Sequence, residues 1–435
     1  MPDLIFVNRF FHPDHSATSQ MLSDLAFALA EEGWSVHVVT SRLVYDAPAE
    51  RLPARETIGG VEIHRIATTG FGRGGLIGRA LDYATFYLSA ARALGALARQ
   101  GDFVVAKTDP PMLSVIVAPI ARLRGAEQVN WLQDIFPEVA TALGAGRGRL
   151  SGAIFRGLRQ VRDRSLRQAR ANVVLGRRMA EHVGKLGVAD DRVRLIPNWA
   201  DGTLLRPEAH EENPLRAEWG LGDAFVVAYS GNLGRAHDHE TLIEAIAETE
   251  ARQATAPGAT AKPRIRWLFV GGGTGYEALR REVHRRKLGS VRFEPYQSRE
   301  RLSHSLSAAD LHLVSLRPEL EELIVPSKIY GIAAVGRPAI FIGDRDGEVA
   351  RHLADYDCGA TVAQGDGAGL ARTVLELSAD PARCRQMGDN ARRAFEATFE
   401  KRHAIDEWKR LLDEIAAESR ARGVPPSRSR TPRGS

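Results

Sequence analysis

The sequence predicts an α/β protein made of two tandem doubly wound, Rossmann-like domains, each a parallel sheet with helices on both faces, facing each other across a cleft. Three observations carry that prediction. Short apolar, β-rich runs alternate with amphipathic helical stretches up to residue 197, which is the pattern of a parallel sheet buried on both sides. The alternation then breaks in a polar, turn-rich stretch and restarts. Formal charge changes sign at the same place: residues 1–200 carry 25 basic and 19 acidic side chains, and residues 201–418 carry 29 and 35.

Taken in order, Leu4 to Val7 reads as a strand, Thr18 to Glu32 as a helix and Ser35 to Thr40 (SVHVVT) as a second strand, a βαβ opening. Val61 to Ile66, Phe103 to Lys107, Gln128 to Gln133 and Asn172 to Leu175 continue the strands, with helices over Ala80 to Gln100, Met112 to Arg124 and Ser151 to Gln168. Arg194 to Pro197 is the last strand-like run of this domain, 1–197, and the aperiodic residues 198–213 read as a linker. The second domain, 214–395, repeats the alternation. Its strands are Phe225 to Ser230, Arg266 to Val270, Val291 to Glu294, Leu311 to Ser315 and Ala339 to Ile342. Helices are expected over Glu240 to Thr249, Tyr276 to Leu288, Arg299 to Ala308 and Ser327 to Val335. Asp389 to Ala417 is strongly helical, and its part 396–418 is expected to pack back on the first domain. Residues 419–435, with Pro, Ser, Gly and five arginines but no acid, read as a disordered basic tail.

That tail accounts for the whole formal charge of +5, so residues 1–418 are neutral and nothing in the balance points to nucleic acid as a partner. Cys358 and Cys384 have no metal-ligand or redox spacing, which argues against a disulfide framework or a zinc site. The opening residues lack the basic stretch of a signal peptide, and no uninterrupted apolar run reaches the ~18 residues a bilayer span needs. A cytoplasmic chain is therefore expected.

Three turns carry candidate chemistry. Ser230-Gly231-Asn232-Leu233-Gly234-Arg235 follows a strand and precedes a helix, where backbone N–H groups and a helix N-terminus can meet phosphate. Gly271-Gly272-Gly273-Thr274-Gly275 repeats the arrangement. Either alone is an ordinary tight turn; the pair favours a nucleotide, though neither has dinucleotide spacing. Val325-Pro326-Ser327-Lys328-Ile329-Tyr330-Gly331 opens a helix with a serine cap and an ammonium, a good anion site. The cluster Glu319, Glu321 and Glu322 just before it either receives sugar hydroxyls or is a solvated loop.

In order, LIPNWADG, SGNLG, FVGGG, FEPYQSRERLSHSLSAADLHLVSL, VPSKIYG and GRPAIFIGDRDGE resemble the family 4 retaining glycosyltransferases of the GT-B fold, and within them the bacterial branch that builds colanic acid, O-antigen and capsule. FHPDHSATSQMLSDLAFALAEEGWSVHVVTSR and WLQDIFPE agree in the first half, so the resemblance covers about residues 4 to 415. It implies a sugar transferase with a nucleotide-sugar donor, UDP-linked and carrying a hexose or N-acetylhexosamine, in the second domain. The acceptor, a glycan or polyprenyl-diphosphate-linked sugar, is implied for the first, with no metal or other cofactor. By the same resemblance Gly231, Asn232, Gly234, Arg235 and Gly272 would lie at the diphosphate, and Glu294 and Tyr296 near the base. Ser327, Lys328 and Tyr330 would serve phosphates or ribose, and Glu322 the sugar. On the acceptor side it implies His12, His15, Ser16 and Glu138, with Asp134 or His12 taking the acceptor proton.

The chain departs from the family where charge matters. The family's two spaced glutamates fall on Leu323 and Gly331, and the Arg and Lys of its diphosphate site on Asn232 and His237. Cleaving a sugar–phosphate bond develops negative charge on the diphosphate, so a cation must come from elsewhere; Lys328 and Arg235 are the candidates. A sugar-nucleotide 2-epimerase and a non-catalytic nucleotide-sugar-binding scaffold stay open as alternatives. Eight arginines from Arg147 to Arg170, against the single acid Asp163, interleave with Ile154, Phe155, Leu158, Val161 and Leu166 as a basic amphipathic helix. With the exposed-looking aromatics Tyr83, Phe86 and Tyr87, it is expected to dock on an anionic inner membrane surface; a solvated helix packed on the sheet is the alternative.

Overall fold

The computed structural model describes all residues except 1, 15, 45–50, 73–74, 146–147, 256–264 and 424–435. The chain divides into two units, residues 1–197 with 404–435, and residues 198–403.

The first unit runs β1 (Leu4–Val7), α1 (Ala17–Glu31), β2 (Val36–Ser41), β3 (Arg55–Ile58), β4 (Val61–Ile66), α2 (Leu76–Leu97), β5 (Phe103–Lys107), α3 (Leu113–Arg124), β6 (Glu127–Trp131), α4 (Glu138–Ala142), α5 (Arg149–Gln168), β7 (Ala171–Val174), α6 (Arg177–Lys185) and β8 (Val193–Leu195). Its eight strands lie in the order β3-β4-β2-β1-β5-β6-β7-β8, all parallel except the β3–β4 hairpin. Central strands are buried along their whole length, as LIFV and VHVVTS demand, whereas β4 alternates between a buried and an open face. One core joins Ile5, Val7 and Val39 of the sheet to Phe86, Leu94 and Val117 of α2 and α3.

The second unit runs α7 (Pro214–Glu218), β9 (Phe225–Asn232), α8 (Glu240–Thr255), β10 (Ile265–Gly272), α9 (Thr274–Arg286), β11 (Val291–Glu294), α10 (Leu302–Ser307), β12 (Leu311–Ser315), α11 (Lys328–Ala334), β13 (Ala339–Ile342), α12 (Glu348–Asp355), β14 (Gly359–Val362), α13 (Gly367–Ala379) and α14 (Pro381–Ala394). Its six parallel strands are ordered β11-β10-β9-β12-β13-β14. The last helix, α15 (Lys401–Ala421), belongs to the first unit from Ala404 onward. There Trp408 is fully buried with its ring 5.0 Å from that of Trp131, and Lys409 pairs with Glu32 at 2.7 Å.

The architecture is the GT-B fold, two parallel-sheet α/β units, as the alternation predicts. Several local expectations are corrected. Residues 198–213 are not a free linker: Trp199 and Ala200 are buried, and Ala200 bridges to Glu400 within the second unit. Asp389 to Ala417 is not one helix, because a π-turn over Phe395–Phe399 and extended Glu400 separate α14 from α15. The tail begins later than Ser419, since α15 reaches Ala421; residues 424–435 lie outside the described ones. The edge strand β3, β14 and the helices α12 and α13 add to the elements expected. Phe86 is core rather than surface, and Leu166 and Arg162 of the basic helix are buried.

Candidate functional site

In each sheet the winding reverses once, between β1 and β5 in the first unit and between β9 and β12 in the second. The crevice beyond the strand ends at such a switch point is where open α/β sheets bind ligands.

In the second unit β9 and β10 end side by side, in register from Ile265 with Phe225 to Gly272 with Asn232. This brings the two glycine turns together, and the Leu233 N–H donates to the Gly272 carbonyl at 2.8 Å. Gly271, at φ +134°, has no room for a side chain: a Cβ there would lie 2.3 Å from the Gly231 carbonyl oxygen. Gly231, at φ +109°, is closed in by Lys328, whose Cε would be 2.9 Å from an added Cβ. The ring of exposed Tyr296 lies over Gly272, and Glu294 at the end of β11 pairs with Arg292 at 2.5 Å.

Lys328, the first residue of α11, reaches across to the end of β9. Its Nζ donates to the Tyr229 hydroxyl at 2.8 Å and the Asn232 carbonyl at 3.0 Å, and sits 4.6 Å from the Tyr229 ring centroid. The His237 ring is 3.5 Å away. His237 Nδ1 lies 2.5 Å from the Ser315 carbonyl, so that nitrogen carries the proton and Nε2 turns its lone pair to the ammonium. Burial, reinforced by the Lys328 charge, holds the His237 ring down to about 3, so it is neutral near pH 7. Burial likewise brings the Lys328 ammonium down to about 7.

The helix that follows the SGNLG turn does not offer its N-terminus to phosphate. Five residues intervene, and buried Asp238 caps α8 by accepting from the Glu240 N–H at 3.0 Å. Ser327 is exposed and makes no side-chain capping bond to α11. Tyr330 is core, 5.3 Å from the Phe399 ring, and so is not a donor contact. Arg235 and Gly234 lie on the same loop as Asn232, with Arg235 exposed. Of the acidic cluster it is Glu321 that is buried, its carboxylate accepting from the Glu348 N–H at the start of α12 at 3.3 Å; Glu322 is half-exposed and Glu319 exposed. At Gly331 a Cβ would face Leu306 and Leu205, so a glutamate there would point into apolar packing.

In the first unit Lys107 ends β5 fully buried, its Nζ 3.7 Å above the Trp131 ring and donating to the Thr18 carbonyl at 2.8 Å. Burial drives this lysine well below its usual range. Asp134, three residues past β6, lines a narrow cavity with Lys107, Thr108, Met112 and Arg162. Burial lifts its carboxyl to about 6; a Thr108 hydrogen bond opposes the rise and the Asp109 charge adds to it. Glu138 is committed elsewhere: buried Arg162 donates to it at 2.7 Å and to the Phe136 carbonyl at 2.8 Å. His12 packs edge-on against Phe27, and Ser16 stands before α1 with its N–H donating to Asp14 at 2.8 Å. His15 lies outside the described residues. Tyr229, His237 and Lys107 were missed by sequence reasoning, although His237 was already conspicuous as the family lysine's replacement; Glu321 was named only as one of the acidic cluster.

Comparison with known proteins places this geometry in a class. The family model described as "Glycosyl transferase 4-like domain" matches residues 17–199, and "Glycosyl transferases group 1" matches residues 211–394. The chain belongs to this family 4, GT-B group and is a glycosyltransferase. It is 26% identical over 283 residues to the Pseudomonas aeruginosa glycosyltransferase WbjE, covering 64% of this chain and 67% of that one. It is 30% identical over 229 residues to the colanic acid biosynthesis glycosyl transferase WcaI of Escherichia coli, covering 52% and 53%, about half of each. Both relatives carry provisional assignments. Among solved structures, sucrose-phosphate synthase from Thermosynechococcus elongatus superposes with a TM-score of 0.75 at 20% identity over 96% of this chain and all of that one. Anabaena HepE in complex with UDP-glucose gives 0.69 at 15% over 95% and 100%. These relatives lend the epimerase alternative no support.

Proposed function

We propose that the chain is a retaining hexosyl- or N-acetylhexosaminyltransferase that takes a UDP-linked donor in its second unit and serves surface-polysaccharide biosynthesis. The observation that carries this reading is Lys328, whose ammonium is brought to the paired glycine turns where the family's own cations are missing. A diphosphate laid against the turns at Gly231 and Gly272 meets that ammonium, and charge developing on the leaving group is neutralised there without a metal. His237, held neutral by burial and the Lys328 charge and oriented by its hydrogen bond to the Ser315 carbonyl, orients the ammonium rather than competing with it. Tyr296 offers a face to the base, and Arg235 a second cation from the same loop. The relative named for colanic acid biosynthesis and the UDP-glucose complex of HepE support the donor and pathway class.

The acceptor belongs to the first unit, where Asp134, raised to about 6, is the base for its hydroxyl. That unit meets the membrane that carries a polyprenyl-linked acceptor through α2, α3 and α5. Ile77, Leu88, Leu123 and Ile154 are exposed on these helices, as are Arg156 and Arg164 of α5, while no described helix is long and apolar enough to cross a bilayer. A panel of radiolabelled nucleotide sugars, scored for UDP release and transfer to lipid-linked acceptor with wild type and Lys328→Ala, tests the reading. Release from one UDP-sugar that collapses in the variant supports it; UDP binding without release from any donor refutes it. Flotation with anionic and neutral vesicles tests the docking face, which equal binding to both would rule out.

A further inference from the structure

The open face of β4 carries a second cluster with ligating chemistry, remote in sequence from every residue assigned above. His37 of β2 is in register with Glu62 of β4, and His64 is two residues further along the same strand, so all three project from one face of the sheet. His37 Nδ1 lies 3.2 Å from His64 Nε2 and 3.3 Å from Glu62 Oε2, and His64 Nε2 lies 3.8 Å from that same oxygen. A triangle with those sides has a circumradius of about 2.0 Å, the zinc–nitrogen and zinc–carboxylate bond length, so one point stands at bonding distance from all three atoms at once.

The surroundings favour lone pairs over a shared proton. His37 is buried, and its other nitrogen, Nε2, faces Asp3 Oδ2 at 3.7 Å and Ser35 Oγ at 3.5 Å. With its proton on Nε2, on the side of those oxygens, His37 turns the Nδ1 lone pair toward the cluster, the sense in which an outer carboxylate orients a metal-bound imidazole. Glu62 is half-exposed, so the fourth position opens to water, and His64 is only slightly exposed. Two imidazoles and one carboxylate form a borderline donor set, suited to zinc, cobalt or nickel rather than magnesium or calcium.

We infer that His37, His64 and Glu62 bind one divalent transition-metal ion of the zinc class, which clips β4 and its hairpin partner β3 to β2 at the edge of the first unit. This site is independent of the transfer chemistry and of the donor reading.

The test uses the full chain without an affinity tag, stripped with chelator and titrated calorimetrically with Zn2+, with Co2+ as a spectroscopic probe of the ligand field. One equivalent of Zn2+ should bind tightly, and Co2+ should give the intense visible bands of a low-coordinate site. His64→Ala and Glu62→Ala should each weaken binding by at least about tenfold, while His284→Ala, which removes an exposed histidine of α9, should change nothing. Glu62 is exposed enough that its variant reads out even if loss of His64 disturbs folding. Wild type taking up no more Zn2+ than Glu62→Ala, or both variants binding as wild type does, would overturn the site.

Discussion

If Lys328 is the cation for the donor diphosphate, its ammonium titrates where assays are run, and donor affinity should depend on pH in a calculable way. Burial sets this group to about 7 in the unliganded protein, whereas a bound diphosphate, by opposite charge, pulls it back up. The sign follows. Below pH 7 the site is already charged and affinity is flat; above 7 the donor must bring a proton in with it, and affinity falls. For a liganded value above 8.5, the dissociation constant should rise about 30-fold between pH 6 and 8.5, with close to one proton taken up per donor at the upper end. A nucleotide diphosphosugar has no group of its own titrating in that window, so UDP-glucose serves as the probe. Calorimetry in two buffers of different ionisation enthalpy reads both quantities. Lys328→Ala should weaken binding about 10- to 150-fold, the loss of one or two charge-assisted hydrogen bonds, and should flatten the pH profile. A constant of wild type that stays within about threefold from pH 6 to 8.5 with no proton uptake would remove Lys328 from the diphosphate site. The fold responds in the opposite sense: Lys328 is held below its unfolded value, so its contribution to stability rises as pH climbs from about 7 toward the ordinary lysine range.

Four further outcomes follow from the same geometry. His237→Lys would set a second ammonium about 3.5 Å from the first, a repulsion of about 4–5 kcal/mol at an effective dielectric of 20; UDP-glucose titration should show weaker binding, and the double variant with Lys328→Ala should recover about tenfold over Lys328→Ala alone. Gly231→Ala forces a side chain into φ +109° and against Lys328, at a cost of about 1–2 kcal/mol in backbone strain alone, so thermal melting should fall by about 2–8 °C and donor affinity with it. Asp134→Asn should abolish a rise in kcat/KM through about pH 6 and lower kcat about 10²- to 10⁴-fold; an unchanged pH limb would assign Asp134 a structural role. Trp408→Ala removes the ring packed on Trp131 and should cost the first unit about 3–5 kcal/mol in urea unfolding, while donor binding in the second unit persists.

What was legible in the sequence divides along physical lines. LIFV, FVVAK and AIFI read correctly because a strand buried on both faces admits few polar side chains, so composition alone marks it. RETI in β3 did not, because an edge strand is half-exposed and its charged residues look like loop. Asp238 hid in plain view: a buried carboxylate at a helix start is as good a cap as the serine expected elsewhere, and it closes the N-terminus that the glycine turn seemed to open. The rotation of α11 was also invisible, since a seven-residue helix is too short for its periodicity to show that Lys328 faces the turns while Tyr330 faces Phe399.

The donor site itself was legible as a deficit before it was legible as a structure. Asn232 and His237 stand where the family carries cations and Leu323 and Gly331 where it carries glutamates, so charge of both signs was missing on paper. The structure answers the two losses differently. The cation is replaced from a different element, because β9 and β12 are neighbours in the sheet although far apart in the chain, and the loop after β12 delivers Lys328 to the end of β9. The carboxylate cannot be replaced in place, because Gly331 looks toward Leu306 and Leu205; the buried carboxylate of the acidic cluster before α11 is Glu321, anchored on the Glu348 N–H. A histidine at 237 then ceases to be a defect. With Lys328 arriving from the far side, a second cation there would repel it, and a neutral ring fixed by Ser315 is what the ammonium needs as a partner.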